Sequence, residues 1–332
     1  MLKRVVFNAI ILTPLLSIIA LVSYFVFLTN VPQLLYLYSV RNIYFDCMEF
    51  SSEDYVYKFK PGECKSRNLE YDTTLTHDSD GFRNLRRSSS YDIVAIGDSH
   101  TQGWGVRDDQ TFAYLLESRF GFATKNLGIG SYATMRELQV LDKYGKDAKY
   151  VIVQYCDNDF GENLASLRLS KEEFRSQVET EWKERINSYN KGKAMGYRKP
   201  IQDLSVMIRT HSYTSKSEWR RGAERRPMEQ EASAFAQIVG RYRPLLEGKR
   251  LIVFESADSG LNSPRFVETV TSELSKLNWL EVKMIDTAKI LTHDHYYSLD
   301  GHPNPSGHRT LAAALAREIS QWESAQPLIG KR

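Results

Sequence analysis

From residue 91 onward, apolar runs and mixed polar stretches alternate along this chain in the rhythm of strands and helices. Ile93-Val94-Ala95-Ile96 is an unbroken apolar run, as expected of a strand buried on both faces. Asp108 or Asp109 is placed to cap a following helix, whose apolar residues Phe112, Leu115 and Leu116 share one face. Lys125-Asn126-Leu127 leads into Gly128 as a short second strand, and Met135 to Lys143 has helical spacing through Leu138 and Leu141. Tyr150 to Tyr155 is a strong third strand, and Leu251 to Phe254 and Val282 to Ile285 are a fourth and a fifth. Between the third and fourth lies a helix expected over Ala232 to Leu246. A last helix is expected from near His308, with Leu311, Leu315, Ile319 and Trp322 on one stripe. Strands alternating with helices predict a mostly parallel sheet covered on both faces, a three-layer α/β/α arrangement of five strands in the flavodoxin-like manner. In such sheets ligands bind beyond the carboxyl ends of the strands.

Two stretches break the rhythm. Residues 160–230 are charged and helical in character, as in Lys171-Glu172-Glu173-Phe174, and are punctuated by Pro200 and Pro227. They read as a helical insertion packed over one edge of the domain, a lid or a partner surface. Residues 31–90 mix aromatics with Ser, Asp and Arg without a long period and read as a lead-in or linker. Ser88-Ser89-Ser90 serves as the hinge into a main domain at 91–325.

The N-terminus is different in kind. Val5 to Leu28 hold no charged residue and follow Lys3 and Arg4. Twenty-four residues suffice to span a bilayer core, which needs about 20. The run ends Tyr24-Phe25-Val26-Phe27-Leu28, poor choices for a signal peptidase. Residues 1–30 are therefore expected to be an uncleaved single-pass anchor. The preceding basic residues favour a cytoplasmic N-terminus, with the rest of the chain extracytoplasmic, or periplasmic in a Gram-negative cell. Of the three cysteines, Cys47 and Cys64 either pair in an oxidising compartment or remain two thiols, and Cys156 has no evident partner.

Composition is that of an ordinary globular protein, 42% hydrophobic and 26% charged. A net charge of +3 does not call for a nucleic-acid partner. The basic pairs Arg86-Arg87, Arg220-Arg221 and Arg225-Arg226 read as solvated faces.

The candidate chemistry sits in loops that follow strands. Ser99, in Gly97-Asp98-Ser99-His100, comes directly after the first strand. A serine hydroxyl needs a base to become a useful nucleophile. The segment Leu299-Asp300-Gly301-His302-Pro303-Asn304-Pro305 after the fifth strand offers His302 as that base and Asp300 to orient it. His308 competes as base but stands at a helix start, where it caps or packs. A tetrahedral oxyanion needs donors. Three positions supply them: the backbone N–H of Ser99, a backbone N–H in Gly128-Ile129-Gly130-Ser131, and the side-chain amide of Asn158 in Cys156-Asp157-Asn158-Asp159. Trp104 and Tyr132 either line a cleft or pack. His293-Asp294-His295 lacks the further ligands a metal site needs, and neither a metal nor a cofactor is implied.

Gly97-Asp98-Ser99, a glycine-bearing loop, Asn158-Asp159, and Asp300-x-His302, in that order, resemble the SGNH/GDSL hydrolase superfamily over about residues 91–320. The resemblance implies Ser99 as nucleophile, His302 as general base and Asp300 as orienting acid. It implies an oxyanion hole of Ser99, Asn158 and the Gly130/Ser131 backbone. The usual family spacing is Asp-x-x-His, one residue longer than here, and Ser131 can align with the second-block glycine in place of Gly130. Asp78-Ser79-Asp80-Gly81-Phe82-Arg83 is similar to the segment that often precedes this domain in bacterial envelope members. The function implied is a serine-dependent esterase acting on acyl esters, acetyl foremost, through an acyl-enzyme. The alternatives are an O-acyltransferase that modifies an envelope glycan, or a catalytically silent glycan-binding or assembly protein. The implied partners are an ester substrate, an acylated glycan or lipid, and the membrane.

Overall fold

The computed structural model describes residues 13–24, 46–51, 53, 55–67, 70–85, 90–195, 226–257, 262–298 and 300–324. Two antiparallel hairpins lie upstream of the main sheet, in the stretch expected to be irregular. The first pairs β1 (Met48–Phe50) with β2 (Tyr57–Phe59), and the second pairs β3 (Gly62–Arg67) with β4 (Asp72–His77). In the second, Cys64 faces Leu75 and both are buried. Cys64 is disulfide-bonded to Cys47, which ties the two hairpins together. Polar Glu, Lys, Ser and Thr fill most of β3 and β4, so their strand character is hidden from a reading by hydrophobicity.

The main sheet is parallel and five-stranded. Its members are β5 (Ile93–Ile96), β6 (Thr124–Asn126), β7 (Tyr150–Tyr155), β8 (Arg250–Glu255) and β9 (Glu281–Ile285). Their order is β6-β5-β7-β8-β9, so the chain reverses its direction of travel across the sheet beside β5. Alternate residues feed two cores. Val94, Ile96, Val151, Val153, Leu251 and Val253 face one layer, and Ile93, Ala95, Ile152, Ile252 and Phe254 face the other. On the second face lie α1 (Phe112–Phe120) and α7 (Pro305–Ser324), through Phe112, Leu116, Leu311, Leu315 and Ile319. On the first lie α2 (Thr134–Tyr144), α5 (Met228–Arg241) and α6 (Phe266–Leu274). Between α2 and α5 the chain adds α3 (Asp159–Arg168) and α4 (Lys171–Met195).

Several helix ends differ from the sequence expectation, each for a local reason. Thr111, not Asp108 or Asp109, caps α1 by accepting from Tyr114 N, while Asp108–Gln110 form a 3-10 turn. Asn304 caps α7 by accepting from the N–H groups of Ser306 and Gly307. The helix therefore starts at Pro305, whose missing N–H costs nothing there. The helix expected over Ala232–Leu246 breaks at Tyr242, and a separate turn Arg243–Leu246 carries Pro244 near its start. Arg226 does not belong to a solvated face. Its guanidinium is buried against Glu231 and Glu255.

The described part of the insertion is helical, and residues 196–225 lie outside the described residues. α4 buries Phe174, Val178, Trp182 and Tyr189, spaced to lie along one helical side. It packs on the upstream hairpins: the Trp182 ring stacks on Tyr57 with centroids 4.5 Å apart, and the Tyr189 hydroxyl donates to Asp46 Oδ2 at 2.8 Å. Residues 13–24 are helical with exposed side chains, and the rest of the apolar run Val5–Leu28 lies outside the described residues. Among the described residues no helix is long and apolar enough to cross a membrane.

Candidate active site

Ser99 opens a single helical turn, Ser99–Gln102, directly after β5. The bend from strand to turn needs Gly97, because a Cβ there would collide with the side chains of Thr101 and Gln154. Asp98 is buried and serves as the cap of this turn, accepting from His100 N at 2.9 Å, while its own N–H donates to Gln154 Oε1 at 3.1 Å. These bonds hold the backbone under Ser99 and leave its side chain half-buried at the carboxyl end of the sheet.

His302 reaches Ser99 from the loop after β9. Tyr296 and Pro303 form an isolated bridge, Tyr297 N donates to His302 O at 2.9 Å, and Asn304 N donates to His295 O at 2.9 Å. The His302 Nε2 atom lies 2.8 Å from Ser99 Oγ, and its Nδ1 atom contacts Asp300 Oδ1. The short Asp-x-His spacing closes because Gly301 takes φ +82°, a conformation open to glycine, and donates its N–H to Tyr297 O at 3.1 Å. Asp300 is buried, with its second oxygen accepting from Tyr71 at 2.5 Å and from Trp104 Nε1 at 3.2 Å. A base with one nitrogen on a serine hydroxyl and the other on a buried carboxylate can take and return the serine proton.

The donor loop after β6 packs under this turn, with Ile129 N donating to Gly97 O at 3.1 Å. Ser131, rather than Gly130, carries the positive φ of 62°. Such a conformation is uncommon for a residue with a side chain. It is held by Arg136, which donates to Ser131 O at 2.5 Å, and by Tyr57, which donates to the same oxygen at 3.2 Å. Asn158 stands at the start of α3, after β7, and one of its amide hydrogens goes to Asp98 Oδ2 at 3.3 Å. A primary amide has a second donor. A cavity of about 280 Å³ opens beside Ser131 and Asn158 and is walled by Tyr132, Phe174, Glu181 and Arg185, so α4 of the insertion forms one side of it.

Behind this loop lie two buried acids, Glu137 of α2 and Asp159 of α3. Burial pushes both carboxyl groups well above the usual range; Asp98 and Glu162 raise both further, and Glu137 also raises Asp159. As neutral acids they add no negative charge beneath the donor loop. Both oxygens of Glu137 lack a hydrogen-bond partner among the described residues. In the unfolded chain this group ionises near about pH 4.3, whereas the folded protein resists ionisation. The stability it contributes is therefore full below that pH and lost as the pH rises. Glu137→Gln is expected to match the parent near pH 4 in thermal melts and to exceed it at pH 8 by about 1–3 kcal/mol. Equal stability at pH 8 would show that the carboxyl ionises without cost.

Three other described histidines are otherwise occupied. Burial pushes His308 down to about 3, and its Nδ1 accepts from Phe112 N at 3.2 Å, so it packs and is no base. His295 Nδ1 accepts from Thr292 N at 2.9 Å within its own turn. His100 lies against His302 with ring centroids 4.6 Å apart and planes tilted by 42°, and its Nδ1 pairs with Ser256 Oγ at 2.8 Å. Ligand atoms of Asp98, His100 and Cys156 lie within 4.8 Å of one another, but both Asp98 oxygens and His100 Nδ1 are already in hydrogen bonds. Tyr132 is buried and bonds Tyr57 O. Sequence reasoning missed Tyr71 altogether and left Trp104 between cleft and packing. A buried Tyr or Trp must find a polar partner, but nothing in residue spacing says that the partner is Asp300.

The model of GDSL-like lipases and acylhydrolases matches residues 93–315. Among solved structures, the chain is similar to the psychrotrophic esterase EstA from Pseudoalteromonas sp., at 12% identity over 70% of this chain and 98% of that one, with a TM-score of 0.40. It is similar to a carbohydrate esterase family 2 enzyme from Corynascus thermopiles (Myceliophthora fergusii), at 13% identity over 77% and 72%, with a TM-score of 0.41. It is also similar to the acetylxylan esterase Axe2 from Geobacillus stearothermophilus, at 16% identity over 74% and 99%, with a TM-score of 0.38. No curated protein sequence matches the chain. The matched stretch carries the whole parallel sheet together with Ser99, Asp300 and His302, and the chain belongs to the GDSL-like lipase/acylhydrolase family, the SGNH/GDSL serine ester hydrolases.

Proposed function

We propose that this protein cleaves small acyl esters, acetyl esters foremost, outside the cytoplasm through an acyl-enzyme on Ser99. The observation that carries the reading is the relay itself, with Ser99 Oγ 2.8 Å from His302 Nε2 and His302 Nδ1 on the buried Asp300. His302 takes the hydroxyl proton as Ser99 Oγ attacks the ester carbonyl carbon. The oxyanion is met by the N–H of Ser99, an N–H of Gly130 or Ser131, and the free hydrogen of the Asn158 amide. Collapse of the adduct breaks the ester C–O bond, and the alcohol leaves with the proton held by His302. Water then gives a proton to His302 and attacks the acyl carbon, and Ser99 recovers its proton as the acid departs.

A second reading, transfer of the acyl group to an envelope glycan, is favoured by one observation. The cavity beside Ser131 and Asn158 is walled in part by Glu181 and Arg185 of the insertion, polar groups suited to a hydroxyl-rich acceptor in place of water. Support for an extracytoplasmic, membrane-anchored setting comes from the uncharged run Val5–Leu28 and from the Cys47–Cys64 disulfide.

The test uses the full chain with 4-nitrophenyl acetate, with and without an oligosaccharide acceptor. Release of nitrophenol together with a Ser99 acetyl adduct by mass spectrometry is the expected result. An acetylated oligosaccharide in place of acetate would establish the transferase. Absence of turnover, with no labelling of Ser99 by a fluorophosphonate, would refute both.

A further inference from the structure

The matched family domain begins at residue 93, yet the groups that hold Asp300 come partly from upstream of it. Tyr71 lies between β3 and β4, and its hydroxyl donates to Asp300 Oδ2 at 2.5 Å. Trp104 Nε1 donates to the same oxygen at 3.2 Å. The residue before Tyr71 completes the grip, since Glu70 accepts from the N–H of Asp300 at 2.9 Å and from the N–H of Ser298 at 2.6 Å. One dipeptide of the upstream hairpin thus holds both the side chain and the backbone of the loop that carries His302. The Tyr71 ring packs on Tyr297 with centroids 5.0 Å apart. Tyr297 in turn donates to Gly105 O at 2.8 Å. Tyr71, Trp104, Leu75 and Cys64 form a small core of their own, with Cys47 against it, so the disulfide is built into the same cluster as the two donors.

We propose that Tyr71 is a positioning residue for the ester hydrolysis, and that the disulfide-tied hairpin carrying it is a working part of the active site. This rests on the reading that Ser99, His302 and Asp300 form the relay. A carboxylate can turn about its terminal torsion and offer either oxygen. Two donors on Oδ2 fix that rotation and leave Oδ1 to the imidazole. They also draw charge from the carboxylate, which keeps the shared proton on His302 Nδ1. Without the Tyr71 hydroxyl, Asp300 holds the imidazolium more strongly and less steadily.

The test compares the full chain with Tyr71→Phe. Two readouts are used: the pH profile of kcat/KM on 4-nitrophenyl acetate, and the downfield proton resonance of His302 Nδ1–H, assigned by its loss in His302→Ala. Tyr71→Phe is expected to lower kcat about tenfold at little changed KM, since hydrogen bonds to charged groups reach this size. It is expected to move the acidic limb of the profile to higher pH and to shift the downfield resonance. A wild-type kcat, profile and resonance in Tyr71→Phe would overturn the proposal. If Tyr71→Phe does not fold, Trp104→Phe removes the other donor to the same oxygen and is judged by the same readouts. If the parent turns over no ester and Ser99 resists labelling, the hydrolase reading fails. The resonance then decides alone: a shift in Tyr71→Phe supports the positioning role, and an unmoved signal overturns it.

Discussion

Ser99→Ala is expected to lower kcat on an activated acetyl ester by about 10⁴- to 10⁶-fold, the scale on which loss of the nucleophile acts in serine enzymes whose parts work as a unit. The cost is chemical and not structural. The half-buried side chain loses one oxygen whose partner is His302 Nε2. The turn beneath it is held by Asp98, Gln154 and Gly103, not by the hydroxyl. Thermal stability is therefore expected to move by less than about 1 kcal/mol. Turnover, fluorophosphonate labelling and the circular dichroism melt would be measured on the same preparation. Loss of the first two with an unchanged melt is the expected pattern. Residual turnover near the parent value would show that another group attacks the ester and would end the Ser99 mechanism.

Asp300→Asn is expected to lower kcat by about 10³- to 10⁴-fold, as the wrong imidazole tautomer does in related relays. The reason lies in the partners of Asp300. Tyr71 and Trp104 both donate to Oδ2, so in the variant the amide oxygen is drawn to them and the NH₂ is turned toward His302. Facing a donor, His302 Nδ1 must give up its hydrogen. The proton then sits on Nε2, where it cannot accept from Ser99. The kcat of Asp300→Asn would be compared with that of Asp300→Ala, in which a water can occupy the space. A drop of less than about tenfold in both would show that His302 works without an orienting acid.

The two segments outside the ordinary domain pattern meet each other. Trp182 of α4 stacks on Tyr57 of β2, and Tyr57 donates to Ser131 O in the donor loop. The same upstream region thus touches the donor loop through Tyr57 and the acid through Tyr71. This gives a physical reason for the strands in the described part of a stretch without hydrophobic period. Its strands are short and polar, but the buried Tyr55, Tyr57 and Tyr71 find partners on the main domain in Tyr132, Ser131 and Asp300.

Strand and helix order was legible because each element of the main sheet is local and periodic. Ile93–Ile96, Tyr150–Val153 and Leu251–Phe254 are continuous apolar runs, and a strand covered on both faces can have little else. Ser99 and Asn158 could be singled out for the same reason, since each stands in a loop right after a strand, and Asp300 and His302 by their recognisable neighbours, although a short helix and a 3-10 turn separate them from β9. The helix caps went astray where one residue competes with another a few positions on, as with Asp108 and Thr111. What no local pattern contains is contact across sequence distance. Only the tertiary structure joined Tyr71 to Asp300, set His100 beside His302, buried Arg226 against Glu231 and Glu255, and let Gly301 close a spacing one residue short. Those contacts depend on how polar groups share a low-dielectric interior, where each must find a partner, and the identity of the partner is decided by the fold as a whole.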